Sequence, residues 1–450
     1  MGPSNMDTAV PYRITVLLLW VQVLAGALTC RSLFWDGASF LADMLESGGF
    51  HDFYPSRAHI AWLTEVPTLL LVRAGVRDVH LLAMVFSATL FAVPAALYHL
   101  ALARVRGNGT LLAAMIATVA TVYLPTSFFN IGEHNVTYAL VAATFAIALT
   151  RRDGVRDGAM MLAFGLVAIA SYEVMIYLGL VTAAVVLWSR RGQRDPVGRM
   201  LSFMAALAFV GASAVSVNSA LQYWDHPHFV LVREATFDFW QNLQFVIPLA
   251  ALAMTGIVGL VYPAWLRSRG VLLPAALMAA LLVVSPWLRE VRPAAFLFPP
   301  SHYVARTAAG GLLTLLMLLS WAHVALPTRL RLLAILHEPK VGRRFATAML
   351  LLVLGGAIPE IWLTRQWVDY LAWFRGVVTG HTGIVSAKQL PLDQWPYRLF
   401  TQEWTYPALS ALVRDAPGQA IVVAPNDYLN DHPFDPLCGT VPKLHGYAWR

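Results

Sequence analysis

The sequence predicts an all-α polytopic membrane protein with about eleven spans, interfacial helices in its first outer loop and a small C-terminal α/β segment. Three observations predict it. The 450 residues are 58% hydrophobic and only 13% charged, against about 45–50% and about 25% in soluble domains. The mean hydropathy of +0.61 comes from recurring apolar runs, each near the roughly 20 residues a helix needs to cross a bilayer. Basic clusters punctuate these runs along the chain. This composition excludes a soluble enzyme, a disordered chain and a coiled coil.

The formal charge of +7 is almost wholly arginine, since the lysines are limited to Lys340, Lys388 and Lys443. On a membrane protein such an excess marks the cytoplasmic side and does not imply nucleic acid. The clusters are Arg104/Arg106, Arg151/Arg152/Arg156, Arg190/Arg191/Arg194/Arg199, Arg267/Arg269 and Arg329/Arg331/Lys340/Arg343/Arg344. Between consecutive clusters lie paired apolar runs: 110–127 with 136–150, 158–171 with 174–189, 200–220 with 244–265, and 271–288 with 306–325. The run 14–29 follows a short polar leader with Arg13 and reads as an uncleaved first span, not a signal peptide. The run 79–103 returns to the inside, and a last span at 345–362 leaves residues 363–450 outside. The N-terminus is therefore expected inside and the C-terminus outside. Arg73 and Arg77 fall outside, against the trend. Cys30 and Cys438 cannot build a disulfide framework and match no metal-ligand spacing.

The first outer loop, 31–78, is not a linker. Phe40, Leu41, Met44 and Leu45 fall at helical spacing against Asp43 and Glu46, and 58–72 is apolar but short and contains Pro67. Two helices lying on the membrane surface account for both; the alternative makes 58–73 a true span. The division expected is a transmembrane domain, 1–362, and an extracytoplasmic domain, 363–450. The tail opens on the aromatic run Trp362–Phe374, expected to lie along the interface. A helix at Pro407–Asp415 and a buried strand at Ala420–Ala424 follow.

Trp35-Asp36 after the first span, the surface helix Leu41–Gly49, and the run Val66-Pro67-Thr68 to Val72-Arg73-Ala74-Gly75-Val76 come next to one another. The spans Leu81–Arg106 and Leu111–Leu124 follow, and then Gly132-Glu133-His134-Asn135-Val136-Thr137-Tyr138-Ala139-Leu140. This order, over about residues 12–190, resembles a GT-C glycosyltransferase. The resemblance implies an integral enzyme of a bacterial cytoplasmic (inner) membrane that takes a sugar from a polyprenyl-phosphate-linked donor. It implies a glycan, lipid or protein acceptor on the outer face, and no nucleic acid. The Asp-Glu pair of the protein O-mannosyltransferases is missing, which puts that substrate in doubt.

Asp36 is the leading catalytic candidate, because inverting glycosyl transfer needs a carboxylate to take the proton of the attacking hydroxyl. Its structural alternative is a helix N-cap, a role aspartate favours. Glu133, in the second outer loop, is a second acid by the resemblance; otherwise it is a helix-start charge that suits the dipole. A divalent metal is the cofactor these residues admit, through Asp36, Glu133 and His51 with His134 nearby, yet no His-x-x-x-His motif is present. Glu173 sits between two short apolar runs, and an ionisable group there is functional by default. Arg57, Arg289, Arg292, His302 and Arg306 lie on outer segments, where arginine suits a donor phosphate and lipid snorkelling is the alternative. A transporter or lipid flippase remains open as a function, as does a noncatalytic scaffold. No internal repeat is evident, which disfavours an inverted-repeat transporter. No Rossmann fingerprint, phosphate-binding glycine loop or nucleophile elbow appears.

Overall fold

The computed structural model describes residues 8–51, 55–127, 133–150, 152, 154–191, 193–222, 224, 243–288, 299–326, 331–394, 397–401, 403–423, 444 and 446–450. Within a bilayer, a helix satisfies every backbone N–H and C=O inside one segment, and helix dominates here. In chain order come α1 (Ala9–Leu28), α2 (Asp36–Ser47), α3 (Ala58–Arg73), α4 (Val79–Val105) and α5 (Gly109–Ser127). They are followed by α6 (Glu133–Thr150), α7 (Gly154–Ala168), α8 (Met175–Arg190), α9 (Pro196–Gln222) and α10 (Leu243–Val261). Then come α11 (Leu272–Leu288), α12 (Pro299–Ala325), α13 (Arg331–Leu336), α14 (Pro339–Gly380) and α15 (Tyr406–Val413). Strands β1 (Ile384–Ser386) and β2 (Ile421–Val423) pair in parallel, Ile384 opposite Ile421.

The chain is thus an all-α membrane protein with a small parallel pair of strands in its tail. Among the described residues, 7 helices are long and apolar enough to cross a membrane: α1, α4, α5, α9, a segment Arg269–Trp287 containing most of α11, the stretch Ala308–Ala325 of α12, and α14. The other expected runs are helical too, as α6, α7, α8 and α10, but are not among these. The last span differs from expectation. It does not stop near Trp362: α14 runs unbroken for 42 residues, about 63 Å at 1.5 Å per residue, far beyond the bilayer core. Pro359 lies inside it without ending it.

The chain divides into two compact units. One comprises Met1–Trp20, Pro55–Ile60 and Pro94–Glu360; the other comprises Val21–Tyr54, Ala61–Val93 and Ile361–Arg450. In the first, α7, α8 and α9 approach closely through small residues, as helices in lipid do. A Cβ on Gly165 would meet Ala208 Cβ at 2.9 Å, and one on Gly179 would meet Phe209 O at 2.5 Å. Ser213 Oγ donates to Met175 O at 2.8 Å and Ser216 Oγ to Tyr172 O at 3.2 Å, fastening α9 to the turn before α8.

Contacts within this unit gather residues of three of the basic clusters at one end. At one end Thr8 Oγ1 donates to Arg106 O (3.0 Å), Arg104 pairs with Asp157 (2.6 Å), and Arg152 donates to Arg104 O (2.6 Å). Gly109 packs on the backbone of Gly342 at that same end. At the other end residues near 57, 133, 173 and 219 meet.

In the second unit the chain end accounts for Arg77. Its guanidinium donates to Tyr447 Oη and lies 4.5 Å from that ring. Val79 N donates to Ala448 O at 2.9 Å, and His80 stacks on Trp449 at 4.8 Å.

The placement of 31–78 and 363–450 outside is checked by labelling Asp52→Cys and Leu390→Cys with an impermeant thiol reagent in a Cys438→Ser background. Both should react from the outer side; cytoplasmic protection of both overturns the topology. Cys30 stays silent in this assay, because burial, with help from Asp78, pushes its thiol up to about 12.

Candidate functional site

In the first unit, three stretches far apart in sequence converge on one cation. Arg57 lies in a 3-10 turn (Pro55–Arg57) just before α3, Glu133 opens α6, and Glu173 sits in the turn between α7 and α8. Arg57 Nε donates to Glu173 Oε1 at 2.8 Å, and Nη1 lies 3.7 Å from Glu133 Oε1. Its guanidinium carbon is 5.3 Å from the centre of the Tyr172 ring, within cation–π range. Ser56 Oγ donates to Glu173 Oε1 at 3.4 Å, and Ser219 Oγ donates to Ser56 Oγ at 3.1 Å.

Burial alone would lower the Arg57 pKa; Glu173, then Glu133 and Tyr172, outweigh it and hold the group well above its ordinary value. Arg57 is thus a permanent cation facing two carboxylates. His134 is fully buried, its ring 5.9 Å from those of Tyr138 and Tyr172. The structure therefore brings Arg57, Glu133, Glu173 and His134 into one neighbourhood.

At the same end Ser127, the last residue of α5, donates to Glu360 Oε2 at 3.3 Å. Glu360 is buried on α14. A π turn at Val119–Tyr123 interrupts α5 directly before its last turn, Leu124–Ser127. Single π turns inside helices recur at functional sites.

Asp36 belongs to the second unit. The cap position of α2 is Trp35, which makes no side-chain cap bond, and Asp36 is the first helical residue. The alternative reading of Asp36 as an N-cap is therefore corrected: the helix starts one residue earlier. Trp35 has φ 50° and ψ −129°, and Cys30, five residues back, has φ 49°. A bulky side chain at positive φ is an outlier that survives only where packing over-determines it.

The packing is visible. Phe34 stacks on Trp35 at 5.1 Å and meets Trp367 and Phe400 edge-on at 5.7 and 6.0 Å. Trp367 Nε1 donates to Thr29 O at 3.0 Å, and α15 packs on α2. Residues of the tail thus hold the strained segment that presents Asp36.

His51 is also in this unit, but its partner is Glu65. His51 N donates to Glu65 Oε2 at 3.2 Å, its ring Nδ1 pairs with Oε1, and Phe40 stacks on the ring at 3.9 Å. Of the candidate metal set, Asp36 and His51 lie in this unit and Glu133 in the other. Among the described residues no group of three His, Cys, Asp or Glu could hold an ion. Within its own unit His51 is engaged by Glu65, and Glu133 faces Arg57.

Sequence reasoning missed Glu65, Glu360 and Arg31. Arg31 is 2% exposed, with its guanidinium 5.0 Å from the Phe91 ring. Two of them had a signal: Glu65 is the lone acid of an apolar helix, and Arg31 is a basic residue just past the end of the first apolar run. Arg289 and Arg292 lie outside the described residues, and His302 and Arg306 lie on α12.

Fold and site together define a polytopic helical membrane protein with acidic and basic side chains gathered at one end of its helices. No family model matches the chain, no curated protein matches it, and no solved structure matches its fold.

Proposed function

We propose that the chain is a membrane glycosyltransferase of the GT-C type. It would span a bacterial cytoplasmic membrane about eleven times, N-terminus in and C-terminus out. It would move a sugar from a polyprenyl-phosphate-linked donor to a glycan, lipid or protein acceptor on the outer face. The observation that carries this reading is the carboxylate of Asp36, placed directly after the strained and aromatically locked Trp35. Strain of this kind is kept where position matters to function. In the reaction Asp36 accepts the acceptor's hydroxyl proton, the new bond forms at the anomeric carbon, and the lipid phosphate leaves with its oxygen. The direct test is sugar transfer from polyprenyl-phosphate donors in native membranes carrying the overexpressed chain. No transfer from any such donor counts against the reading.

The donor phosphate is assigned to Arg289, Arg292 and Arg306, with His302 beside them in sequence, because arginine's planar fork suits phosphate oxygens; Arg57 faces two carboxylates. Glu133, Glu173 and His134 then serve the acceptor, whose hydroxyls suit carboxylates. Replacing any one of the three arginines by glutamine should weaken donor binding roughly 10- to 100-fold, the worth of one charge-assisted hydrogen bond, without loss of folding. Unchanged binding of a polyprenyl-phosphate sugar in all three variants removes them from the site.

A transporter or flippase is the second reading, favoured by one observation: the part-buried Arg57–Glu133–Glu173 network, with the buried Glu360 on a long helix. Buried ionisable groups at helix ends also mark ion and substrate paths. Transport of a labelled lipid across vesicles in which Asp36→Asn is fully active would favour it.

A further inference from the structure

From Arg190 to Arg199 the chain carries four arginines and one acid, Asp195. This is where α8 ends and α9 begins. Asp195 is committed to the turn: its Oδ2 accepts the N–H of Gly198 and its carbonyl accepts the N–H of Arg199. The helix start is therefore already capped, and the arginines carry the positive charge here.

Beside the turn lies a groove of about 260 Å³ lined by Arg190, Pro196, Arg199, Met200 and Phe203. The Arg190 guanidinium lies over the Phe203 ring at 5.1 Å. That contact fixes the cation against the groove wall.

The two faces of α9 explain what the groove meets. Its inner face is small and buried, with Gly198, Ser202, Ala205, Ala212 and Ser213 against neighbouring helices. Its outer face exposes Met200, Phe203, Leu207, Val210, Val217 and Leu221 at helical spacing over the whole span. A stripe of exposed apolar side chains along a span faces lipid tails, and this stripe begins inside the groove.

We propose that the groove binds an anionic phospholipid, with its headgroup phosphate between Arg190 and Arg199 and its tails along the Met200–Phe203–Leu207–Val210 stripe. Arginine's planar fork suits phosphate oxygens. The apolar wall distinguishes a lipid from a free anion, which has no tails to lay there. Anionic lipids crowd the leaflet to which basic segments point, the side on which the arginine clusters are expected. The proposal does not depend on glycosyl transfer.

The test is native mass spectrometry of the purified full-length protein in neutral detergent, titrated with phosphatidylglycerol, phosphatidylcholine or inorganic phosphate. The wild type should bind one phosphatidylglycerol at least about tenfold more tightly than phosphatidylcholine, and inorganic phosphate should not displace it. Arg199→Gln and Met200→Glu change exposed residues, so both should fold. Each should weaken phosphatidylglycerol binding by about 10- to 100-fold. Arg194→Gln, which does not line the groove, should bind as the wild type does. Equal affinity for the two lipids, displacement by inorganic phosphate, wild-type affinity in Arg199→Gln and Met200→Glu, or an equal loss in Arg194→Gln each overturns the proposal.

Discussion

Asp36→Asn should lose about 10²–10⁴-fold in turnover, the usual worth of a positioned general base, while folding and donor binding persist. The substitution keeps size and polarity and removes the carboxylate alone. Asp36 is the first helical residue of α2, with Trp35 at the cap position. Asparagine loses the favourable interaction of a first-turn carboxylate with the helix dipole, about 0.3–1 kcal/mol, too little to unfold the segment. The segment is held instead by Phe34 on Trp35, Trp367 and Phe400, and by the bond from Trp367 to Thr29. Stability and turnover should therefore separate. Sugar transfer measured in native membranes, beside the thermal midpoint of the purified variant, shows whether they do. Loss of both together would make Asp36 a structural residue. Full activity would leave Glu133 as the remaining outer carboxylate, and a fully active Glu133→Gln as well would remove the glycosyltransferase reading.

The helices were legible because the bilayer imposes a length and an apolar composition that composition alone reports. Part of the end-to-end arrangement was legible from the arginine clusters: Arg104 meets Asp157 at one end of the first unit, and Arg57 meets Glu173 at the other. The end of the last span was not legible. Trp362–Phe374 is amphipathic enough to lie at an interface, yet nothing in it stops a helix, and α14 continues to Gly380.

The site was legible residue by residue but not as an assembly. Arg57, Glu133 and Glu173 each stood out as ionisable groups beside apolar runs, while their meeting is a property of helix packing. Glu65 passed unnoticed because a carboxylate on a surface-lying helix needs no partner; buried at 2% exposure, it needs one, and His51 supplies it. The positive φ of Trp35 has no sequence signature at all, since no glycine or asparagine marks it. Phe34, the neighbour on which Trp35 stacks, packs against rings more than 300 positions away.

Arg57→Leu should be the most destabilising single change at this end of the helices. It keeps an apolar stem beside Tyr172 but leaves the buried Glu133 and the part-buried Glu173 with their shared cation gone. Removing one partner of a buried ion pair costs about 3–5 kcal/mol, because the charge left behind is not compensated. The side chains of Glu133 and Glu173 are 9% and 16% exposed, so water offers them little relief. Equilibrium unfolding in detergent should report the loss. Adding Glu133→Gln and Glu173→Gln to Arg57→Leu should then recover most of it, since neutral amides need no cation and can keep the bond with Ser56. A recovery of less than about 1 kcal/mol would mean that Arg57 stabilises through its packing on Tyr172 and not through charge. The recovered triple variant also separates structure from function. If it folds as the wild type does and still fails to transfer sugar, the three charges act on substrate; if it transfers sugar normally, the network serves only to tie the Pro55–Arg57 turn, the start of α6 and the turn between α7 and α8 together.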